Sequence, residues 1–442
     1  MKYLIQNSTL IPMIKDREVL SNDLLIENGI IKQIGKIQPD SNTHVIDAKD
    51  CFTLPGFIQG HIHLVQTLLR HQADDLELLD WLKERTWPFE AAMDGDAIEA
   101  SSLLGTSELL LGGTTTICDY GTTHSHERVF KVVEKMGLRY IGGKTQMDQG
   151  EGVPAPLLEK TDTSLREVYD LGKKWHKAHG NRIQYAVTPR FAVSCTENLL
   201  RESVKMARQN GWYLQTHSSE NKGEIELVEK LTGRKNISYL NDLEFSGEDT
   251  ILAHCVHLTE KEMAILAETK TRVCHCPGSN LKLASGIADI PEMLKRKIPV
   301  LLGADGAPCN NRLSIFNEMG LAATIHKVKY GPLSMPAWQV LKMATVDAAK
   351  ALRLDKEIGT LEVGKKADIV ILSRKSLSMN PDGDPASQIV YGAHPNDVAY
   401  VFVEGKMLVD KSKLTSVKEE SVIEQSRDAW NRTRPKMKEF IV

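Results

Sequence analysis

Two histidines separated by one residue, His61 and His63, follow an apolar run that ends in small residues. If this run is a β-strand, its side chains alternate between the two faces, so both imidazoles point the same way. Two imidazoles on one face provide half of a metal site, but an isolated pair of this kind is also common among surface and strand-end histidines. The rest of the chain must decide between these interpretations.

Three later segments carry further metal-ligand or acid/base residue types directly after short apolar runs. They are His217 with Glu220 three residues later, His254, and Asp305. Neutral imidazoles and a carboxylate suit zinc, and the same groups also serve iron and manganese. We predict a divalent metal site, with zinc as the first choice and iron or manganese as alternatives, whose ligands are His61, His63, His217 and Asp305. Such an ion lowers the pKa of a bound water to near neutrality.

The segments that must position these residues alternate strand with helix, a pattern that favours parallel βα units. The strand candidates are Thr53–Gln59, Thr114–Asp119, Tyr140–Lys144, Gln184–Thr188, Trp212–His217, Thr250–Ala253, Thr271–Cys274 and Val300–Gly303. Eight is the strand number of the α/β barrel, in which the active site lies at the carboxyl ends of the strands. At the carboxyl ends of four of these candidates, or within a few residues beyond them, lie the metal-ligand and acid/base residues His61, His63, His217, His254 and Asp305. The two chain ends have a different texture of short β-like runs and turns, which predicts a small sheet domain.

Length and charge limit the function classes that remain. The 442 residues exceed the roughly 250 that are usual for one α/β barrel, so we expect one large domain and a smaller one. A net charge of −3, from 55 basic and 58 acidic residues, gives no indication of a nucleic-acid or membrane partner. The early polar residues do not resemble a signal peptide, and we expect a cytoplasmic protein. The sequence leaves open whether the chain forms a homo-oligomer.

An ordered set of motifs resembles the amidohydrolase superfamily, in particular its aminohydrolase and chlorohydrolase branch. The matching segments are Pro55-Gly56-Phe57, Gly113-Thr114-Thr115-Thr116, His217 with Glu220, Ala253-His254-Cys255, Cys276-Pro277-Gly278-Ser279-Asn280, Gly303-Ala304-Asp305 and Ile358–Asp368. The resemblance implies an α/β fold in which residues 55–354 form a (β/α)8 TIM barrel. It also implies a composite β-sandwich built from residues 1–54 and 355–442.

The same resemblance implies roles for individual residues. Binuclear members carry a bridging lysine after the fourth strand, but this chain has Arg190 in that region and no lysine, so a single metal ion is expected. His254 resembles the histidine that polarises the attacked centre or the attacking water, with a fifth ligand or a structural histidine as alternatives. Glu220 is interpreted as a proton shuttle to a ring nitrogen, against the alternative of a surface carboxylate. Asp305 is expected to accept a water proton and deliver it to the leaving group.

Two likenesses compete over the substrate, which is expected to be a purine that loses ammonia. Gln66 and Arg190 resemble purine-contacting residues of guanine deaminases. The segments Gly303–Asn311 and Tyr391-Gly392-Ala393-His394 instead resemble deaminases of adenosine derivatives. Glu90 matches a glutamate that holds ribose hydroxyls in those relatives. We therefore favour a nucleoside.

The 5′ group of that nucleoside is expected to be small. Lys144 lies near the place where relatives bind a homocysteine carboxylate, but no second arginine completes that pair. The sequence thus predicts deamination of 5′-deoxyadenosine or methylthioadenosine to the inosine analogue, with guanine deaminase second. It also leaves open an S-adenosylhomocysteine deaminase, a triazine-type hydrolase, and a catalytically silent barrel that acts as a binding module. The intact ligand set and Glu220 argue against the silent barrel.

Overall fold

The computed structural model describes residues 2–441 and contains both strands and helices throughout. The strands, in chain order, are β1 (Lys2–Gln6), β2 (Thr9–Leu10), β3 (Asp23–Glu27), β4 (Ile30–Gly35), β5 (His44–Asp47), β6 (Cys51–Pro55), β7 (Phe57–His63), β8 (Thr114–Asp119), β9 (Arg139–Gly142), β10 (Thr145–Gln146), β11 (Ile183–Pro189), β12 (Tyr213–Ser218), β13 (Thr250–His254), β14 (Arg272–His275), β15 (Val300–Leu302), β16 (Asp305–Gly306), β17 (Ile369–Ser373), β18 (Val398–Val403), β19 (Lys406–Asp410) and β20 (Lys413–Leu414).

Most helices lie between the strands from β7 onwards. They are α1 (Leu78–Trp81), α2 (Trp87–Ala92), α3 (Gly95–Leu111), α4 (Glu127–Met136), α5 (Thr161–Trp175), α6 (Ala178–Asn181), α7 (Glu197–Asn210), α8 (Lys222–Thr232), α9 (Asn236–Asp242), α10 (Glu260–Thr269), α11 (Pro277–Lys282), α12 (Ile290–Lys295), α13 (Ala307–Asn310), α14 (Ile315–Ile325), α15 (Lys327–Tyr330), α16 (Ala337–Met343), α17 (Val346–Ala351), α18 (Pro385–Ser387) and α19 (Glu419–Thr433). Among the described residues, no helix is long and apolar enough to span a membrane.

The central sheet is parallel and consistent with a TIM-like barrel. Its order is β15-β14-β13-β12-β11-β9-β8-β7-β16. The two strands at the ends of this order, β15 and β16, are neighbours in the chain and are separated only by Gly303 and Ala304. The sheet therefore returns on itself through one interrupted eighth strand.

Successive side chains along the barrel strands alternate between two apolar clusters, one inside the barrel and one between the strands and the helices. Each of the eight strand segments contributes one residue to an interior cluster, namely Ile58, Cys118, Ile141, Ala186, Tyr213, Ile251, Cys274 and Leu301. Neighbouring residues such as Ile117, Val187 and Val273 instead join the cluster shared with the helices. Because successive side chains point to opposite faces, short apolar runs can serve both clusters at once.

The first strand candidate, Thr53–Gln59, is two strands in the structure. β6 belongs to a different sheet, while β7 begins at Phe57 and continues to His63. Gly56 separates them, and a Cβ there would lie 2.2 Å from the Thr115 side chain, so only glycine permits this close approach. The continuous apolar sequence conceals the change of sheet.

The chain ends form two further sheets. One has the order β4-β3-β1-β5, and the other has the order β2-β6-β17-β18-β19-β20, which joins both ends of the chain. Side chains of the two sheets, including Ile5, Ile26, Ile371 and Phe402, share one hydrophobic cluster. The composite β-sandwich and its domain boundaries stay predictions. The last helix, α19, packs against α3.

A buried ion pair connects the central sheet to the sheet that contains β17 and β18. Arg139, at the start of β9, donates to both carboxylate oxygens of Asp368, at 2.8 and 3.2 Å, and both side chains are 1% exposed. Asp368 also accepts from the backbone N–H of Glu404. The pair therefore fixes the position of β17 and β18 relative to the barrel.

We expect Asp368→Asn to destabilise the protein by roughly 3–5 kcal/mol, because the buried Arg139 charge loses its bidentate carboxylate and keeps only the single contact with Glu404 at 3.2 Å. The measurement is the free energy of unfolding from urea titration followed by tryptophan fluorescence. Asp382→Asn is the control, since that carboxylate pairs with Arg374 at an exposed position. Equal stability of the two variants would contradict the structural role given to the buried pair.

Candidate metal centre and active site

His61 and His63 lie at the carboxyl end of β7 and face the same side of the strand. Their ring centroids are 4.9 Å apart, and both side chains are almost completely buried. Ile62 between them belongs to the cluster shared with the helices. One ring nitrogen from each of these histidines and one from His217 lie within 4.8 Å of one another. The structure thus brings together the first three predicted ligands.

The orientation of His217 is set by the neighbouring strand end. Its Nδ1 donates to the backbone carbonyl oxygen of Arg190 at 2.6 Å. This hydrogen bond leaves Nε2 unprotonated and directed toward the other histidines, and Nε2 of His63 lies 3.1 Å away. A backbone carbonyl that orients a histidine in this way is a common feature of metal-binding imidazoles.

Asp305 completes the cluster from the interrupted eighth strand. Its Oδ1 lies 3.0 Å from Nε2 of His61 and 3.4 Å from Nε2 of His63. The Ser279 hydroxyl donates to Oδ2 at 2.7 Å, and the Gly306 N–H donates to Oδ1 at 2.7 Å. Asp305 has a φ of +64°, and this left-handed conformation turns the carboxylate from the strand toward the histidines.

The four donors His61, His63, His217 and Asp305 fit a divalent metal ion. Both ring nitrogens of His61 and Nδ1 of His63 are buried without a hydrogen-bond partner among residues 2–441. Burial lowers the pKa of His61, and it lowers the pKa of His63 and His217 further, so the imidazoles are neutral, as ligands must be. A cation in the cluster would satisfy Nε2 of His61, which faces Asp305, because each imidazole offers one nitrogen to a single ion.

Glu220 and His254 lie beside this cluster. Oε2 of Glu220 is 3.4 Å from Nε2 of His254, and the Ser285 hydroxyl donates to Oε1 at 3.3 Å. Burial raises the pKa of Glu220 to about 7, so this carboxyl group can gain or lose a proton near neutrality. His254 Nδ1 donates to the Asn280 side-chain oxygen at 2.9 Å, which directs Nε2 toward Glu220 and Asp305.

A pocket opens directly over these polar groups. Its lining includes His63, His217, Glu220, His254 and Asp305. Five apolar side chains also line it, namely Leu78, Trp81, Leu82, Phe191 and Leu283. An apolar cavity with a few converging polar groups is the usual form of a small-molecule site. A substrate in this pocket would meet the metal donors and the acid/base pair together.

The comparison with known proteins identifies the chain. The model of the amidohydrolase family matches residues 52–408. The chain belongs to the amidohydrolase family. Together with the relatives described next, this membership makes the protein a hydrolytic aminohydrolase.

Two curated relatives and one solved structure match along almost the whole chain. The 5-methylthioadenosine/S-adenosylhomocysteine deaminase of Caldanaerobacter subterraneus subsp. tengcongensis is 36% identical over 424 residues, which cover 96% of each chain. The 5′-deoxyadenosine deaminase of Methanosarcina acetivorans is 36% identical over 428 residues, covering 96% of this chain and 97% of the relative. A crystal structure of an adenosine deaminase from Xanthomonas campestris with bound zinc has a TM-score of 0.91 at 27% identity and covers 98% of each chain.

The predicted substrate residues of this amidohydrolase separate into two groups. Gln66 and Arg190 line the pocket. Glu90 does not line it, because Arg190 donates to both of its carboxylate oxygens and Gln66 donates to one of them at 2.8 Å. Glu90 thus holds the two lining side chains in place from behind.

Lys144 is not brought to the pocket of this amidohydrolase. Its side chain is 2% exposed, and its ammonium group pairs with Glu159 and with Glu167, the latter at 3.5 Å. Two carboxylates thus hold the lysine in a buried position outside the pocket lining. Its position just after the third strand indicated nearness to the site but carried no information about these partners.

Sequence reasoning missed Glu224, which lines the pocket and accepts the Glu220 backbone N–H at 2.8 Å. Its position four residues after Glu220, one turn into α8, was the available signal. The structure also gives roles to Ser279 and Asn280, which lie inside a motif of the family resemblance. The apolar lining residues had no distinguishing pattern in the sequence.

We expect His217→Asn to lower the metal content of the purified amidohydrolase to well below one ion per chain, because the substitution removes an oriented imidazole from the donor set. Elemental analysis of protein purified with added zinc measures this content. His71→Asn is the matched control, since that histidine is exposed and outside the cluster. Equal metal content in the two variants would remove His217 from the ligand set.

Proposed function

We propose that the protein hydrolytically deaminates an adenosine derivative with a small 5′ group, either 5′-deoxyadenosine or methylthioadenosine, to the inosine analogue and ammonia. The observation that carries this proposal is the placement of Glu220 and His254 in one pocket with three of the proposed metal donors, His63, His217 and Asp305. One curated relative described above is named a 5′-deoxyadenosine deaminase and the other a 5-methylthioadenosine/S-adenosylhomocysteine deaminase, which supports an adenosine derivative as the substrate. The two names share an adenosine-type purine and differ in its 5′ group.

We propose that His61, His63, His217 and Asp305 hold one divalent ion, zinc in the first instance, with iron or manganese as alternatives. When bound, the ion would act as a Lewis acid that makes water more acidic. The zinc-containing relative supports this choice of metal. The prediction of a single ion rests on the absence of a lysine after β11 in the sequence.

Glu220 is proposed to carry the proton that makes the purine reactive. Protonation of the ring nitrogen beside the C–N bond makes the adjacent carbon electrophilic, and the departing amine later needs a proton as well. A carboxyl group whose pKa is raised to about 7 by burial can serve both steps near neutral pH. His254, oriented by Asn280, is proposed to polarise the attacking water or the attacked carbon.

The charges around the pocket support a small 5′ group. Among the described residues, Arg190 is the only lysine or arginine in the pocket lining, and Glu90 already engages its guanidinium. Lys144 is similarly paired with Glu159 and Glu167. A homocysteine carboxylate would therefore have to compete with these acids for a cation, whereas a methyl or methylthio group would pack against the apolar wall.

Guanine deaminase is the second candidate, and one observation favours it. Gln66 and Arg190 line the pocket, whereas Glu90 lies behind them. An amide and a guanidinium facing the substrate would suit the polar edge of a free base. The binding of ribose hydroxyls by Glu90 stays a prediction, because such hydroxyls would have to compete with Arg190 and Gln66 for its oxygens.

We expect ammonia release to be fastest with 5′-deoxyadenosine or methylthioadenosine. Their kcat/KM should exceed those of guanine and S-adenosylhomocysteine by about tenfold or more, the discrimination that one unmatched group produces. The measurement is ammonia release by the metal-loaded protein from each of these compounds and from adenosine. Faster turnover of guanine would replace the leading proposal by the second one, and no release from any purine would reject both.

We expect Glu220→Gln to retain the metal ion and to lower kcat by about a hundredfold or more, because the amide cannot shuttle a proton. Steady-state ammonia release and elemental analysis of the same preparation measure the two quantities. Glu226→Gln makes the same change at an exposed position of α8 and should leave both unchanged. A variant at Glu220 with wild-type kcat would remove the proposed proton shuttle.

A further inference from the structure

A second cavity lies at the opposite end of the barrel from the metal centre. It has a volume of about 470 Å³. Its lining includes Arg272 and Val300, which are the first residues of β14 and β15, so it lies at the amino ends of the strands. The metal donors lie at the carboxyl ends. The two cavities are therefore separated by the packed interior of the barrel.

Arg272 is the unusual residue in this cavity. Its side chain starts from the same face of β14 as Cys274, which belongs to the interior cluster, because the two residues are two positions apart. The residue is only 4% exposed, and its Nε and Nη1 atoms are buried without a hydrogen-bond partner. Within residues 2–441 its guanidinium forms no ion pair. An unpaired buried charge is strongly unfavourable, so such a group normally has a partner.

The charges around Arg272 are mainly positive. Arg353 and Lys297 also line the cavity, and neither has a carboxylate within ion-pair distance in the described part of the chain. Lys270 and Lys350 line it too, but each is compensated by an acid, Glu248 at 2.7 Å and Asp347 at 3.8 Å. These two carboxylates are the acidic lining residues. Three cationic groups therefore remain uncompensated.

The lowered pKa of Arg272 agrees with this excess of positive charge around the cavity. Burial and the neighbouring Arg353 guanidinium lower the pKa of Arg272 to about 10. The guanidinium stays charged at neutral pH, but its charge is less favourable than in water. Arg353 itself is fixed over the ring of Tyr213, with its guanidinium carbon 5.3 Å from the ring centroid, and so it faces the cavity in a defined position.

We propose that this cavity binds a phosphate group, either as inorganic phosphate or as a phosphate monoester. Arginine binds phosphate oxygens through charged N–H groups, and the Arg272 guanidinium lines the cavity without a carboxylate partner within residues 2–441. Arg353 and Lys297 would contact the remaining oxygens. A phosphate carries close to two negative charges at neutral pH and thus matches the uncompensated cations better than a single carboxylate does.

The test is isothermal titration of the metal-loaded full-length protein with inorganic phosphate and, separately, with glycerol phosphate. Saturable binding by the wild-type protein is expected for at least one of them. Arg272→Met should weaken it by about tenfold or more, since a charged hydrogen-bond donor is lost. Arg353→Gln should weaken it as well, and this variant changes an exposed side chain and not a buried one. Lys411→Gln, a charge removal at a distant exposed position, is the matched control.

The outcomes separate clearly. Weaker binding in Arg353→Gln than in Lys411→Gln supports the site even if Arg272→Met does not fold. Phosphate binding that is equal in the Arg353→Gln and Lys411→Gln proteins would indicate another location, such as the metal centre, and would overturn the proposal. No binding of either compound by the wild-type protein would overturn it too. Stronger binding of glycerol phosphate than of phosphate would identify a monoester as the preferred ligand.

Discussion

The crowding of neutral imidazoles and one carboxylate at the carboxyl end of the barrel is the constraint on which the site depends. His61, His63 and His217 can approach so closely only because burial keeps them uncharged. His61 and His63 lie two residues apart on β7, whereas His217 lies on β12 and Asp305 on β16. The closed parallel sheet is the part of the fold that makes these strand ends converge. Polar atoms that would be unfavourable elsewhere in the interior become useful donors there.

A layer of hydrogen bonds behind the donors determines their orientation. The Arg190 carbonyl holds His217, Asn280 holds His254, and Ser279 holds Asp305. Arg190 has two functions in this arrangement, because its backbone orients a metal donor while its side chain binds Glu90. The metal centre and the substrate wall are thus connected through one residue at the end of β11.

Much of this arrangement could be predicted from the sequence, because strand periodicity and residue type are local properties. The eight strand candidates overlap the observed strands, and His217, His254 and Asp305 lie where the barrel brings strand ends together. Other features depend on distant partners. The partners of Lys144 are Glu159 and Glu167, which belong to none of the sequence motifs. The change of sheet at Gly56 is set by contact with Thr115. Periodicity carries no information about such contacts.

The C-terminal end of the chain supports α2, the helix behind the pocket lining. α2 carries Glu90, and its Phe89 ring contacts Trp430 of α19, with the centroids 6.2 Å apart. The segment Arg434–Glu439 also packs against α2. During synthesis the metal donors are therefore all made more than a hundred residues before the helix that supports Glu90 is complete. The position of α2, and with it the support of Gln66 and Arg190 by Glu90, therefore depends on contacts of very long sequence separation, which are costly to close in folding.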